Sequence, residues 1–419
     1  MDIELLKRII ITNRRRIKAI SVTHRNYQID DNMNYVFTGI RQSGKTYLMY
    51  QCIQNMLIDG TDIESVVYVN FDDERLIGFS AADFDAILQA HYQLNEQKPV
   101  LFLDEIQNIP SWEKFARRMA NEKYRVYITG SNAKMLSSEF ATVLGGRYQT
   151  INVYPYSFAE FLAANKLSLE KNWQYNDEAV NGVRRLLDNY FYNGGFPESL
   201  VATQKREWLS TLFQKMLLGD IVARYKVKNV NAMSFVVKKL SESVKQPISC
   251  TRLTQLVSSL GEKVQVNTVI DYLRFLEESW VVIPIKNFAS RFVEREGLKK
   301  YYFCDNGILN LFLMDGNTSL LENIVAINLK RKYGDEVYFY RKNIEVDFYL
   351  PTKSELIQVS YSIADEETKR READALLKTA DFLDAKLLII ITMNEEDIIE
   401  NKGRQIKVLP LWKWLLLDD

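Results

Sequence analysis

Histidine and cysteine are scarce in this 419-residue chain, with two of the first and three of the second. His24 and His91 alone cannot furnish a histidine-rich zinc site. Cys52, Cys250 and Cys304 lie far apart in sequence and read as reduced core residues rather than disulfides or ligands. Net charge is missing as well. The 54 basic side chains match 54 acidic ones, so no global field draws the molecule onto nucleic acid or an anionic membrane. Local basic runs occur at Arg14-Arg15-Arg16 and Lys369-Arg370-Arg371, and such runs are most often solvated helix faces. Long apolar runs are absent too: residues 387–392 and 281–285 fall far short of a membrane span. Residues 1–16 carry scattered charges and no signal-peptide core. A cytoplasmic protein with no membrane partner is expected.

What is present is a soluble, globular composition, 47% hydrophobic and 26% charged. The length predicts two to four domains. Within residues 35–49 an apolar strand runs into Gly39-Ile40-Arg41-Gln42-Ser43-Gly44-Lys45-Thr46 and then a helix beginning near Tyr47. This is the pattern G-x-x-x-x-G-K-[ST], expected by chance in on the order of one chain in a hundred of this length. Gly39 and Gly44 allow a tight turn around an anion because neither has a Cβ. The amides of the loop and helix start, through Gln42, Ser43 and Tyr47, then point at a phosphate. Lys45 can reach the β/γ oxygens, and the Thr46 hydroxyl can bind Mg2+. The bland alternative, a glycine turn capping a helix, does not explain the lysine and threonine.

A second element completes the chemistry. Pro99-Val100-Leu101-Phe102-Leu103-Asp104-Glu105 is an apolar run ending in two acids, as expected of a strand buried on both faces of a parallel sheet. Asp104 would hold the Mg2+ beside Thr46, and Glu105 would orient and polarise an attacking water. A third strand, residues 125–130, ends in Ser131-Asn132. Either polar residue could contact the γ-phosphate or the water; alternatively Ser131 caps a helix over 133–140. Residues 65–71 read as another buried strand.

Further along stand Gly146-Arg147-Tyr148, then Tyr154-Pro155-Tyr156-Ser157-Phe158, and Gly194-Gly195-Phe196-Pro197-Glu198. With the loop, Leu103-Asp104-Glu105-Ile106-Gln107-Asn108 and Ile128-Thr129-Gly130-Ser131-Asn132, this order resembles the AAA+ superfamily. It looks specifically like the prokaryotic branch related to the signal-transduction STAND ATPases. The resemblance implies an α/β fold with a three-layer P-loop core over residues 1–152 and a helical lid and connector over 153–230. It implies ATP as the nucleotide. It also implies that Gly195-Phe196-Pro197 touches the base, a reading compatible with a plain interhelical turn. Arg147 stands where an arginine could act on a γ-phosphate of its own or a neighbouring subunit, or form a structural salt bridge. Action in trans would require self-association.

The second half turns helical. Helices over 232–245, 251–260 and 266–279, followed by a strand at 280–285, suggest a winged helix-turn-helix spanning 231–290. Its third helix offers Asn267, Thr268 and Asp271 to DNA, yet only Arg274 is basic, so interdomain or protein docking is the competing role. Residues 291–419 then give a helix carrying Glu322, three strands near 337–361, a helix over 366–383 and a strand at 386–392. This resembles the PD-(D/E)XK nuclease fold, a small restriction-endonuclease-like α/β domain. Asp347 matches the first metal-binding acid. Gln358-Val359-Ser360 stands where Glu-x-Lys is expected, so Glu322 and Asp347 are left as a weak second metal pair and the domain reads as inactive. The expected function is Mg2+-dependent ATP hydrolysis with Glu105, Lys45 and Arg147 as catalytic groups. Its coupling is to nucleic acid, to another protein or to a second copy. Two alternatives stand beside it: a slow nucleotide switch that exchanges ATP and ADP with negligible turnover, and a DNA-binding or nuclease effector.

Overall fold

The β-branched and aromatic runs of the first 154 residues pair into one sheet. The computed structural model describes residues 1–30, 32–131, 144–288, 291–401 and 403–417, and the chain divides into two compact units, 1–154 and 155–419. In the first unit, strands β1 (Asn34–Thr38), β2 (Val66–Asn70), β3 (Val100–Asp104), β4 (Arg125–Gly130) and β5 (Tyr148–Asn152) are all parallel. Their order is β2-β3-β4-β1-β5.

Side chains alternate across this sheet because successive Cβ atoms point to opposite faces. Val36, Val67, Val69, Leu101, Leu103, Val126 and Ile128 face helices α1 (Ile3–Ala19), α3 (Phe84–Tyr92) and α4 (Trp112–Asn121). Tyr35, Phe37, Val66, Tyr68, Phe102 and Tyr127 face helix α2 (Lys45–Ile58) through its Leu48, Met49 and Ile53. Three layers result. The chain leaves β1 toward one edge and returns from β4 across β1 to form β5, so the strand order switches beside the C-terminal end of β1. Ligands of open α/β sheets gather at such a switch.

Helix α1 buries Leu6, Ile9, Ile10 and Ile17, each worth about 1.5–3 kcal/mol of transfer free energy. The same helix corrects one expectation. Arg14 is no solvated member of a basic run: its Nε donates to Val66 O at 2.9 Å and its Nη1 to Glu64 Oε2 at 2.7 Å. It is buried, pinning α1 to the start of β2.

The second unit holds an eight-stranded mixed sheet. Its strands are β6 (Val282–Asn287), β7 (Lys299–Phe303), β8 (Tyr338–Arg341), β9 (Glu345–Leu350), β10 (Glu355–Val359), β11 (Leu387–Thr392), β12 (Asp397–Asn401) and β13 (Arg404–Pro410). They lie in the order β12-β13-β11-β10-β9-β8-β6-β7. Helices Val230–Glu242, Cys250–Ser258 and Val266–Glu278 precede β6. The sequence places a module boundary at residue 290, but β6 pairs antiparallel with β7 and parallel with β8 in one continuous sheet. Helix Glu366–Leu383 covers a face built from Val346, Leu356, Leu388, Ile390, Ile406 and Val408. Cys52 and Cys304 are buried and Cys250 is half-buried, and none of the three is in a disulfide. Among the described residues no helix is long and apolar enough to cross a membrane.

Candidate functional site

The loop after β1 adopts a backbone that only small or tolerant residues hold. Gly39 and Gly44 have φ of 152° and 96°, and Gln42 sits at 60°. A Cβ on Gly39 would press into the Val153 carbonyl, well under the 3.0 Å that real Cβ atoms keep. Helix α2 starts at Lys45, directly after Gly44, so its first amides face the loop. Lys45 is buried, and its Nζ donates to Gly39 O at 3.0 Å and Ile40 O at 2.9 Å. Ser43 is fully buried, and its Oγ has no hydrogen-bond partner. That hydroxyl is a donor within an anion-shaped turn, and it fits a phosphate oxygen.

Asp104, at the C-terminal end of β3, is completely buried and takes three hydroxyls. Thr46 Oγ1 donates to its Oδ2 at 2.8 Å and Tyr68 OH to the same oxygen at 2.6 Å. Thr129 Oγ1 donates to Oδ1. The Thr46–Asp104 pair therefore forms, as the sequence predicts. Hard oxygen donors of this kind suit Mg2+. Burial, with the Asp104 carboxylate beside it, lifts the Tyr68 phenol far above its ordinary range, so it stays a donor.

Glu105 follows at φ 51°, a left-handed conformation uncommon for a residue with a side chain. Two contacts hold it there. Its N–H donates to Thr129 Oγ1 at 2.8 Å, and Gln107 Nε2 donates to its carboxylate. Burial raises its pKa, a shift opposed by the nearby Lys45 charge and reinforced by Asp104. Ser131 is buried one residue beyond Gly130, which pairs with Thr38 at the loop's threshold. Asn132 and the expected helix over 133–140 lie outside the described residues. Tyr47 is half-exposed, its ring 5.6 Å from that of Tyr50.

Sequence reading missed three residues that build this site. Thr129 and Tyr68 reach Asp104 from the strands flanking β3. Arg25, in the coil before β1, is buried and donates from Nη1 to Ser43 O at 3.0 Å and from Nη2 to Tyr154 O at 2.8 Å. It ties the phosphate loop to the end of the unit. Its neighbours Thr23, His24 and Asn26 are polar, so the sequence carries no signal for it.

Two expectations are corrected. Arg147 precedes β5, whose Tyr148 pairs with Asn34 at the start of β1, whereas the loop leaves β1 at Thr38. Parallel pairing thus puts Arg147 at the opposite end of the sheet, a strand length of about 13 Å away. Its Nη1 donates to Leu144 O and Gly145 O, capping its own turn, so it does not serve its own chain's site. In the second unit Glu322 and Asp347 do meet, but around an ammonium: Lys300 Nζ lies 3.1 Å from Glu322 Oε1 and 3.0 Å from Asp347 Oδ1. Among the described residues no group of three or more His, Cys, Asp or Glu side chains is placed to hold a metal ion. Pro197 belongs to the second unit, opening the short helix Pro197–Leu200.

The fold and site define a P-loop, nucleotide-binding ATPase. Residues 31–162 match the family model described as an AAA domain, and residues 184–319 match a domain of unknown function (DUF8612). Uncharacterized protein MJ1544 of Methanocaldococcus jannaschii is 31% identical over 98% of this chain and 95% of its own length. An uncharacterized protein of Haemophilus influenzae is 30% identical over 92% of this chain and 95% of its own. The chain belongs to the family of these two proteins, with an AAA-type ATPase domain. Among solved structures, a Walker-type ATPase of Pyrococcus abyssi is similar at a TM-score of 0.44 and 12% identity, covering 71% of this chain and 99% of that one.

Proposed function

We propose that the chain binds ATP at residues 39–46 and hydrolyses it with Mg2+ held by Thr46 and Asp104. The metal would supply charge neutralisation between phosphate oxygens. Glu105 polarises a water, Lys45 leaves the loop carbonyls for the phosphates, and loop amides stabilise the transferring charge. One observation carries this reading: Thr129 holds both acids at once, Asp104 by its carboxylate and Glu105 by its amide. Ser131 serves the γ-phosphate or the water, and Arg147 acts on a second copy's nucleotide. The test is steady-state ATP turnover of the wild type and Glu105→Gln. The variant is expected to bind ATP and lose turnover by at least about 100-fold; unchanged hydrolysis refutes the assignment.

A specific observation also favours the slow-switch reading. Gln107 engages Glu105 and Lys45 is folded onto its own loop, so both groups must be released before they act. Tightly held nucleotide with negligible multiple turnover would select the switch, and fast turnover the coupled ATPase. For the partner we propose protein docking by the three-helix module. On its third helix Arg274 is engaged by Asp271 at 2.8 Å, which weakens its claim on a DNA phosphate. DNA-stimulated turnover would reverse that choice. The cell compartment consistent with this reading is the cytoplasm.

A further inference from the structure

Lys300 points from β7 into the second unit with no exposed surface. An ammonium cannot be stripped of water there unless anions replace the lost solvation. Three do. Its Nζ donates to Glu322 Oε1 and Asp347 Oδ1 and lies 3.2 Å from Glu345 Oε1. The acids come from helix Asn317–Tyr333 and from two positions on β9, so two elements converge on a nitrogen carried by a third.

Two further donors share these acids. Tyr302 OH donates to Glu322 Oε1 at 2.7 Å, and the Val359 N–H donates to Asp347 Oδ2 at 3.0 Å. Gln358, the residue standing where a nuclease-like site would carry an acid, accepts the Asp347 N–H at 3.1 Å. Its amide nitrogen donates to Glu372 at 2.7 Å, so it is turned away from the ammonium.

The distances identify what the cage is sized for. Oxygens about 3.0–3.2 Å from a centre suit an ammonium, whereas Mg2+ or Ca2+ demands roughly 2.0–2.6 Å.

We propose that Lys300 is a built-in cation in place of a divalent metal, and that Glu322, Glu345 and Asp347 form a latent metal site that opens only when this ammonium is removed. Wild-type protein then binds no divalent ion here. This inference does not rest on the ATPase reading, since the cluster belongs to the other unit.

The test uses full-length protein without nucleotide, titrated with Mn2+ by calorimetry. Asp347→Asn should leave Mn2+ uptake by otherwise wild-type protein unchanged. Lys300→Ala should gain one Mn2+ per chain, with a dissociation constant of about 1 mM or below, and Lys300→Ala/Asp347→Asn should lose that gain. If Lys300→Ala melts too low to titrate, Mn2+ should raise its melting temperature and leave the double variant's unmoved. A wild-type ion lost on Asp347→Asn overturns the proposal. So does a Lys300→Ala protein that neither gains an ion nor is stabilised by one.

Discussion

Thr129→Val isolates one hydroxyl at the centre of the site. Valine keeps the shape of threonine, so packing in β4 is conserved while two hydrogen bonds vanish. The bond to the Asp104 carboxylate is charge-assisted, worth about 1.5–3 kcal/mol, and the one from the Glu105 amide is worth about 1 kcal/mol. Asp104 keeps Thr46 and Tyr68 on its other oxygen, so the stability loss should fall near the lower end, about 2–3 kcal/mol. The catalytic loss has a different origin. Glu105 is held at φ 51°, a conformation costing on the order of 1–3 kcal/mol that needs an anchor. Once its amide is released the residue relaxes and carries its carboxylate off position. A transition-state loss of about 2–3 kcal/mol is roughly a 30- to 160-fold fall in kcat. ATP affinity should change by less than about threefold, because the loop does not touch Thr129. Thr129→Ser, which retains the hydroxyl, should recover most of the rate. Turnover, equilibrium binding of a fluorescent ATP analogue and denaturant unfolding measure all three quantities. The reasoning fails if the valine variant keeps its kcat while losing stability, if serine is as slow as valine, or if ATP binding collapses in parallel.

Arg25→Met should cost about 3 kcal/mol from two lost guanidinium donations and weaken ATP binding roughly tenfold by freeing the Ser43 carbonyl; wild-type affinity in a folded variant would count against it. Gly39→Ala should lose at least about 3 kcal/mol, because its Cβ meets Val153 O, whereas Gly60→Ala, with open space around it, should lose only about 1 kcal/mol; equal melting temperatures would reject the clash. Asp305 is buried, and desolvation raises its pKa to about 6 despite hydrogen bonds from the Gly195 and Gly307 amides. Between the ordinary aspartate pKa and 6 the folded state binds more protons than the unfolded state. This group's contribution therefore falls as pH rises through that window, by about 3 kcal/mol. The difference in unfolding free energy between wild type and Asp305→Asn, followed from pH 4 to 6.5, should show that slope; a flat or opposite difference would refute it.

The loop, Asp104 and Glu105 were legible because their chemistry demands fixed spacing along the chain. Thr129, Tyr68 and Arg25 were not, since their roles depend on which strands lie side by side. Nothing in the letters says that β4 is inserted between β1 and β3. Arg147 misled for the converse reason. Its glycine-rich approach reads like a functional turn, but parallel register carries the start of β5 to the far end of the sheet. In the second unit β9, helix Glu366–Leu383 and the strand at 387–392 were readable from alternation and length. The pair β12 and β13 was not: β12 is partly to fully exposed, so its pattern is weak. Lys300 stayed hidden because Lys299-Lys300 looks like a polar strand start, while its partner acids lie 22 and 47 residues away.

Both units bury carboxylates, and the donors chosen to satisfy them separate the two sites. Asp104 takes hydrogen bonds from three neutral hydroxyls, each of which can turn away when a cation arrives, at modest cost. Glu322 and Asp347 are instead met by a buried ammonium, whose withdrawal would leave the acids without their cation in a desolvated site. Replaceable neutral donors keep a carboxylate available to a metal; a tethered cation removes it from that chemistry. On this physical distinction the Asp104 carboxylate is open to exchange of partners, and the acids around Lys300 are closed to it.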